Sequence, residues 1–157
     1  MTREESFMME AIKLSQHAID NNEGGPFGCI IVKGDTIVGR GNNKVVSTND
    51  PTAHAEVVAI RDACKNLGTF QLDGCEIYTS CEPCPMCLGA IYWARPKVIY
   101  YANNCKDAAD AGFDDSLIYS ELKINISDRK IPGVEISRHE ALKVFQDWKD
   151  NPDKMEY

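Results

Sequence analysis

Residues 75–102, CEIYTSCEPCPMCLGAIYWARPKVIYYA, decide the fold. CEIYTS reads as a strand, PCPMCLGAIYWA as a helix with proline in its first turn, and KVIYYA as a continuous apolar strand. Strand, helix and strand over so few residues imply a right-handed parallel crossover. At its centre Cys81, Cys84 and Cys87 stand at equal spacing, two overlapping C-x-x-C pairs. How many of the three hold a metal separates a closed structural site from an open one.

Outward from this unit, the elements extend it into one layered domain over 1–157. Thr2 and Glu5 form a candidate capping box for a first helix, with Met8, Ala11, Ile12, Ser15 and Ile19 on its inner face and Gly24-Gly25-Pro26 as its stop. FGCIIVKGDTIVGRGNN reads as two strands joined at Lys33-Gly34-Asp35. Asp50 and Thr52 are candidate caps for a second helix, AHAEVVAIRDACKNLG, stopped by Gly68. Beyond Tyr101 the pattern weakens to a short helix (DSLIYSEL), a short strand (GVEIS) and a last helix with Ser137 and Glu140 at its cap. The order describes an α/β fold, a three-layer α/β/α sandwich around a mixed sheet.

At 157 residues and 43% hydrophobic, the chain can bury a core without metal or disulfide staples. Its start has no basic and apolar leader, and no run reaches transmembrane length. Seven cysteines, an odd number with three crowded together, favour reduced thiols and a metal in a reducing compartment, hence a cytoplasmic protein. Net charge is −7, and residues 105–157 carry eight Lys/Arg against twelve Asp/Glu. That composition offers no cation surplus for nucleic acid, and no membrane partner is expected.

A helix starting near Pro83 puts Cys84 and Cys87 on one face at its positive end, where the dipole favours the thiolates a metal needs. Cys81 precedes the proline, at the strand's end. Of three histidines, His17 lies midway along a surface-type helix, His139 follows a candidate capping serine near the C-terminus, and His54 opens the second helix with Glu56 two residues on. Residues two apart on a helix diverge, so His54 and Glu56 share a site only off the helix end. Two helix starts converging on one ion satisfy both spacings. The alternative is a closed site of three cysteines and His54 without catalysis.

H-x-E followed by P-C-x-x-C is the pattern of zinc deaminases. PTAHAE, YTSCEPCPMCLGAIYWARPK, AGFDDS and the terminal EY together resemble the bacterial guanine deaminases of the cytidine-deaminase-like superfamily, over essentially the whole chain. The resemblance implies one Zn²⁺ per subunit on His54, Cys84 and Cys87, with Cys81 a small buried neighbour. Hydroxide on that zinc would attack C2 of guanine, giving xanthine and ammonia, with Glu56 as proton shuttle. It further implies that Asn43 holds the base, that Asp115 (or the adjacent Asp114) recognises substrate and handles protons, and that Phe27, Ala55 and Trp93 line the pocket. In such a homodimer the C-terminal segment crosses to the neighbour and brings Tyr157 over its pocket. Competing readings are a tRNA adenosine deaminase, a deaminase of cytosine or another aminoheterocycle, and a structural-zinc interaction domain.

Overall fold

The computed structural model describes residues 1–157. Helix α1 (Arg3–Asp20) is followed by β1 (Gly28–Lys33), β2 (Thr36–Asn42), the single turn α2 (Val45–Thr48), α3 (Ala55–Leu67), β3 (Cys75–Cys81), α4 (Pro85–Ala94), β4 (Val98–Asn103) and α5 (Cys105–Asp110). The sheet order is β2-β1-β3-β4, antiparallel except for the β3–β4 pair, in which Ile77 faces Ile99. The sheet is mixed, and its parallel pair is the one read from 75–102. Lys33 pairs with Thr36 across a two-residue turn whose Gly34 has φ 61°, a conformation that favours glycine.

Alternation along the strands divides the core in two. Cys29, Ile31, Cys75 and Ile77 face α3 and α4 and pack with Ala55, Ala59, Ala63, Ile91 and Ala94. Ile30, Val32 and Tyr78 face α1, against Phe7, Met8, Ala11 and Leu14. This is the three-layer α/β/α arrangement. On the α3 side the packing is small against small. A Cβ on Gly41 would lie 2.2 Å from the Ala55 carbonyl oxygen, so glycine there lets the start of α3 settle directly on β2. On the α1 side, Tyr78 stacks on Tyr100 at 4.7 Å and donates to Glu76 Oε2 at 2.8 Å. Glu76 also pairs with Arg3 at 2.8 Å and Lys97 at 3.0 Å, and Arg3 reaches Asp35 at 2.7 Å and the Gly34 carbonyl.

Several local expectations are corrected. The inner face of α1 runs through Phe7, Met8, Ala11 and Leu14, with Ala18 also buried, so Met8 and Ala11 stand as read, whereas Ile12 and Ile19 are exposed. The helix ends at Asp20, before the Gly-Gly-Pro stretch, with Asn22 in a left-handed conformation. Asp50 does not cap α3; its Oδ1 accepts from the Thr52 N–H and hydroxyl in a local turn, and the cap is His54. Helix α4 begins at Pro85, with Cys84 at its cap, because Pro83 falls in the preceding turn. The Thr2–Glu5 capping box and the Gly68 stop stand as read.

The chain divides into two compact units, Met1–Asp115 and Ser116–Tyr157. The second contains α6 (Ser116–Glu121), a 3₁₀ turn (Ile126–Asp128) and α7 (Arg138–Asp150). No residue of it is buried. Residues 133–137 form no strand, since a strand exists only with a hydrogen-bonded neighbour, and Val134 and Ile136 are exposed. Ser137 makes no capping bond, as its backbone is left-handed rather than extended.

Candidate metal centre and active site

Helices α3 and α4 start at one place. His54 and Cys84 are their respective caps, and Cys87 lies in the first turn of α4. His54 Nδ1 is 3.5 Å from Cys84 Sγ and 3.5 Å from Cys87 Sγ, and the three donor atoms lie within 4.8 Å of one another. Zinc bonds of about 2.0–2.1 Å to nitrogen and about 2.3 Å to sulfur, at a tetrahedral angle, set N and S about 3.5 Å apart. The donors fit a zinc ion in type, number and spacing.

The charges favour it too. A hydrogen bond from the Cys87 thiol, aided by His54, pulls Cys84 well below the usual thiol range, while the same bond and burial push Cys87 up. The pair thus holds one thiolate readily and keeps a second proton that a metal would displace. Its hydrogen bond to Cys84 raises His54.

Cys81, the last residue of β3, lies outside the donor cluster. It is buried, its Sγ is 3.7 Å from the Asn104 carbonyl, and burial raises it to about 11. Two of the three equally spaced cysteines converge on the histidine. The turn that delivers them is tied down by Glu82, whose N–H donates to the Asn103 carbonyl and whose Oε2 accepts from the Cys105 N–H.

Glu56, in the first turn of α3, is 6% exposed, and burial pushes its carboxyl up. Its Oε1 accepts from the Thr79 hydroxyl at 3.1 Å. Ala55 between ligand and carboxylate is fully buried. Asn43 is buried just past β2; its N–H donates to the Phe27 carbonyl and its Oδ1 accepts from the Val45 N–H at 3.0 Å. The neighbouring Asn42 is held by Glu23 Oε2 at 2.5 Å. Asp115 is half-buried, and burial raises it; Asp114 is exposed. Phe27 packs on the α3–α4 core and edge-on to Phe113, with centroids 4.9 Å apart. Trp93 is 64% exposed, which excludes a core role, and Tyr157 is exposed in the second unit. His17 and His139 have exposed side chains outside the donor cluster.

Thr79, Phe113 and Glu23 were not singled out from the sequence. Only Thr79 had a usable signal: alternation puts its hydroxyl on the face of Cys75 and Ile77, where an apolar side chain is expected.

Buried glutamate, two cysteines and a histidine at paired helix starts define a zinc-site fold, and residues 1–103 match the family described as "Cytidine and deoxycytidylate deaminase zinc-binding region". The chain belongs to that family. It is 54% identical to the guanine deaminase of Bacillus subtilis (strain 168), over 98% of both chains. The solved structure of guanine deaminase from Bacillus subtilis superposes with a TM-score of 0.94, again over 98% of each chain. The tRNA-specific adenosine deaminase of Buchnera aphidicola is similar at 33% identity, over 95% of each.

Proposed function

We propose that this chain is a zinc-dependent guanine deaminase, hydrolysing guanine to xanthine and ammonia. The observation that carries the reading is the His54–Cys84–Cys87 triad beside buried Glu56, in a chain that follows a guanine deaminase along its whole length. Three protein donors, with Cys81 outside them, match the catalytic rather than the closed structural pattern.

Zinc bound there supplies a water acidic enough to act as a nucleophile at pH 7. Glu56 would take one proton from that water and hand it to a ring nitrogen, then take the second from the new C2 hydroxyl and give it to the departing amine. A C–O bond forms at C2 and the C–N bond to the amino group breaks. Asn43 spends its Oδ1 on the Val45 N–H, so its amide N–H groups are the donors left for an acceptor on the base. Asp115 supplies the complementary acceptor for the base N–H groups, with Phe27 and Trp93 against the ring faces and the Ala55 backbone orienting it. The working form is a cytoplasmic homodimer in which the C-terminal segment docks on a second copy and Tyr157 closes that copy's pocket. Exposed Leu122, Ile131, Phe145 and Trp148 in a unit without buried residues support this docking. Seven net negative charges argue against nucleic acid as its substrate. No helix is long and apolar enough to cross a membrane.

Ammonia release from guanine, guanosine, cytosine, adenine, ammeline and a tRNA anticodon stem-loop tests the reading. Guanine should dominate; preferential inosine formation in the stem-loop overturns the substrate assignment while leaving the zinc chemistry in place.

A further inference from the structure

We propose that Thr79 is the positioning residue for Glu56: its hydroxyl fixes Oε1 and leaves Oε2 as the oxygen that moves the proton. The proposal rests on the deaminase reading above. Strand β3 carries an anomaly. Every residue of that strand is buried, and on the face toward α3 the row runs Cys75, Ile77, Thr79, Cys81. A hydroxyl in such a row costs free energy unless it is hydrogen-bonded, and valine has nearly the same shape without that cost. The bond Thr79 makes is the one to Glu56 Oε1, at 3.1 Å, with Thr79 1% and Glu56 6% exposed.

The bond also answers a need of the carboxylate. A buried glutamate has several rotamers, and a shuttle must present one oxygen at a fixed place. Besides its own backbone N–H, the other group that lowers the Glu56 carboxyl is the Cys87 thiol, whose one proton is shared with Cys84. A ligating cysteine has lost that proton, so with metal bound Thr79 is the side-chain donor that remains. Thr79 is itself rigid: its backbone lies in register with Cys29 on one side and Tyr101 on the other, in a strand paired on both edges. A residue 23 positions away in sequence thus sets the aim of the acid–base group from the centre of the sheet.

The test is a cycle of Thr79→Val, Thr79→Ser, Glu56→Gln and Thr79→Val/Glu56→Gln, each read for zinc content, melting temperature, and kcat and KM on guanine. Thr79→Val should keep one zinc per chain and lower kcat by about 10- to 100-fold with KM within about threefold, the range for losing a hydrogen bond to a charged group. Thr79→Ser, which keeps the hydroxyl, should recover kcat to within about threefold of the parent. In the Glu56→Gln background Thr79→Val should cost nothing further, since its effect passes through Glu56. An unchanged kcat, an equal loss in the serine variant, or a full additional loss in the Glu56→Gln background overturns the proposal. Thr79→Ala takes the place of Thr79→Val should the latter not fold. A parent chain inactive on guanine sinks the substrate reading instead. The crystal structure of zinc-loaded Thr79→Val then decides, a swung Glu56 carboxylate supporting the proposal and an unmoved one overturning it.

Discussion

The role proposed for Glu56 differs from those proposed for its neighbours, and substitution separates them. Glu56→Gln keeps shape and burial but cannot take a proton, so turnover should fall by about 10²- to 10⁴-fold with zinc content and folding intact. Retained turnover would move the shuttle to Asp115. Zinc retention separates the cysteines: Cys84→Ser should lose metal, whereas Cys81→Ser, 3.7 Å from a carbonyl and outside the donor cluster, should keep it, as measured by metal analysis after dialysis. Zinc loss from Cys81→Ser would revive the closed site. At this scale the metal donors were legible because their chemistry is rare and their spacing tight. For Thr79, alternation marks a hydroxyl on an apolar face but not its partner, because the hydrogen bond that gives it meaning spans two elements.

The elements place these side chains by their ends. His54 and Cys84 are cap residues, which is why residues two apart in H-A-E can serve one site. The convergence was readable, but not the starting residue of either helix, since an Asx turn at Asp50 competes with capping and two prolines flank Cys84. On the opposite face the Glu76 cluster ties α1 to β3. Burial opposes its charge, but Arg3, Tyr78 and Lys97 outweigh burial and hold its carboxyl at about 2, against an ordinary 4.5. Because the folded value is the lower one, the stabilisation is complete above pH 4.5 and is lost as pH falls through about 2. Glu76→Gln should therefore lower the melting temperature at pH 7 by roughly 2–6 °C. The two melting curves should converge as pH falls from about 5 to about 2.5. Parallel curves over that range would show that the cluster contributes nothing through charge.

The whole molecule raises the question of what covers residues 116–157. Leu122, Ile131, Phe145 and Trp148 are exposed, and in the proposed homodimer they dock on a second copy. Removing Glu156 and Tyr157 should leave zinc and dimer intact and lower kcat/KM for guanine by about 10- to 100-fold. Mixing that truncated chain with a Glu56→Gln, Asp115→Asn chain should give more activity than the two parents summed, because a mixed dimer has one complete site. No rise despite proven subunit exchange would place the tail's action within its own chain. The strand order β2-β1-β3-β4 also has a consequence in time. β1 lies between β2, which supports α3, and β3, which leads into α4, so the donors meet only after Cys29 pairs with Thr79 across a long stretch of chain. During synthesis the hairpin and α3 emerge first, with His54 and Glu56 but no thiolate pair. In refolding, this distant closure is expected to be the slow step, which stopped-flow refolding would show. Tight uptake of zinc, followed with a fluorescent chelator, should therefore share the rate of that closure, and the ion should arrive as a witness that the sheet is complete.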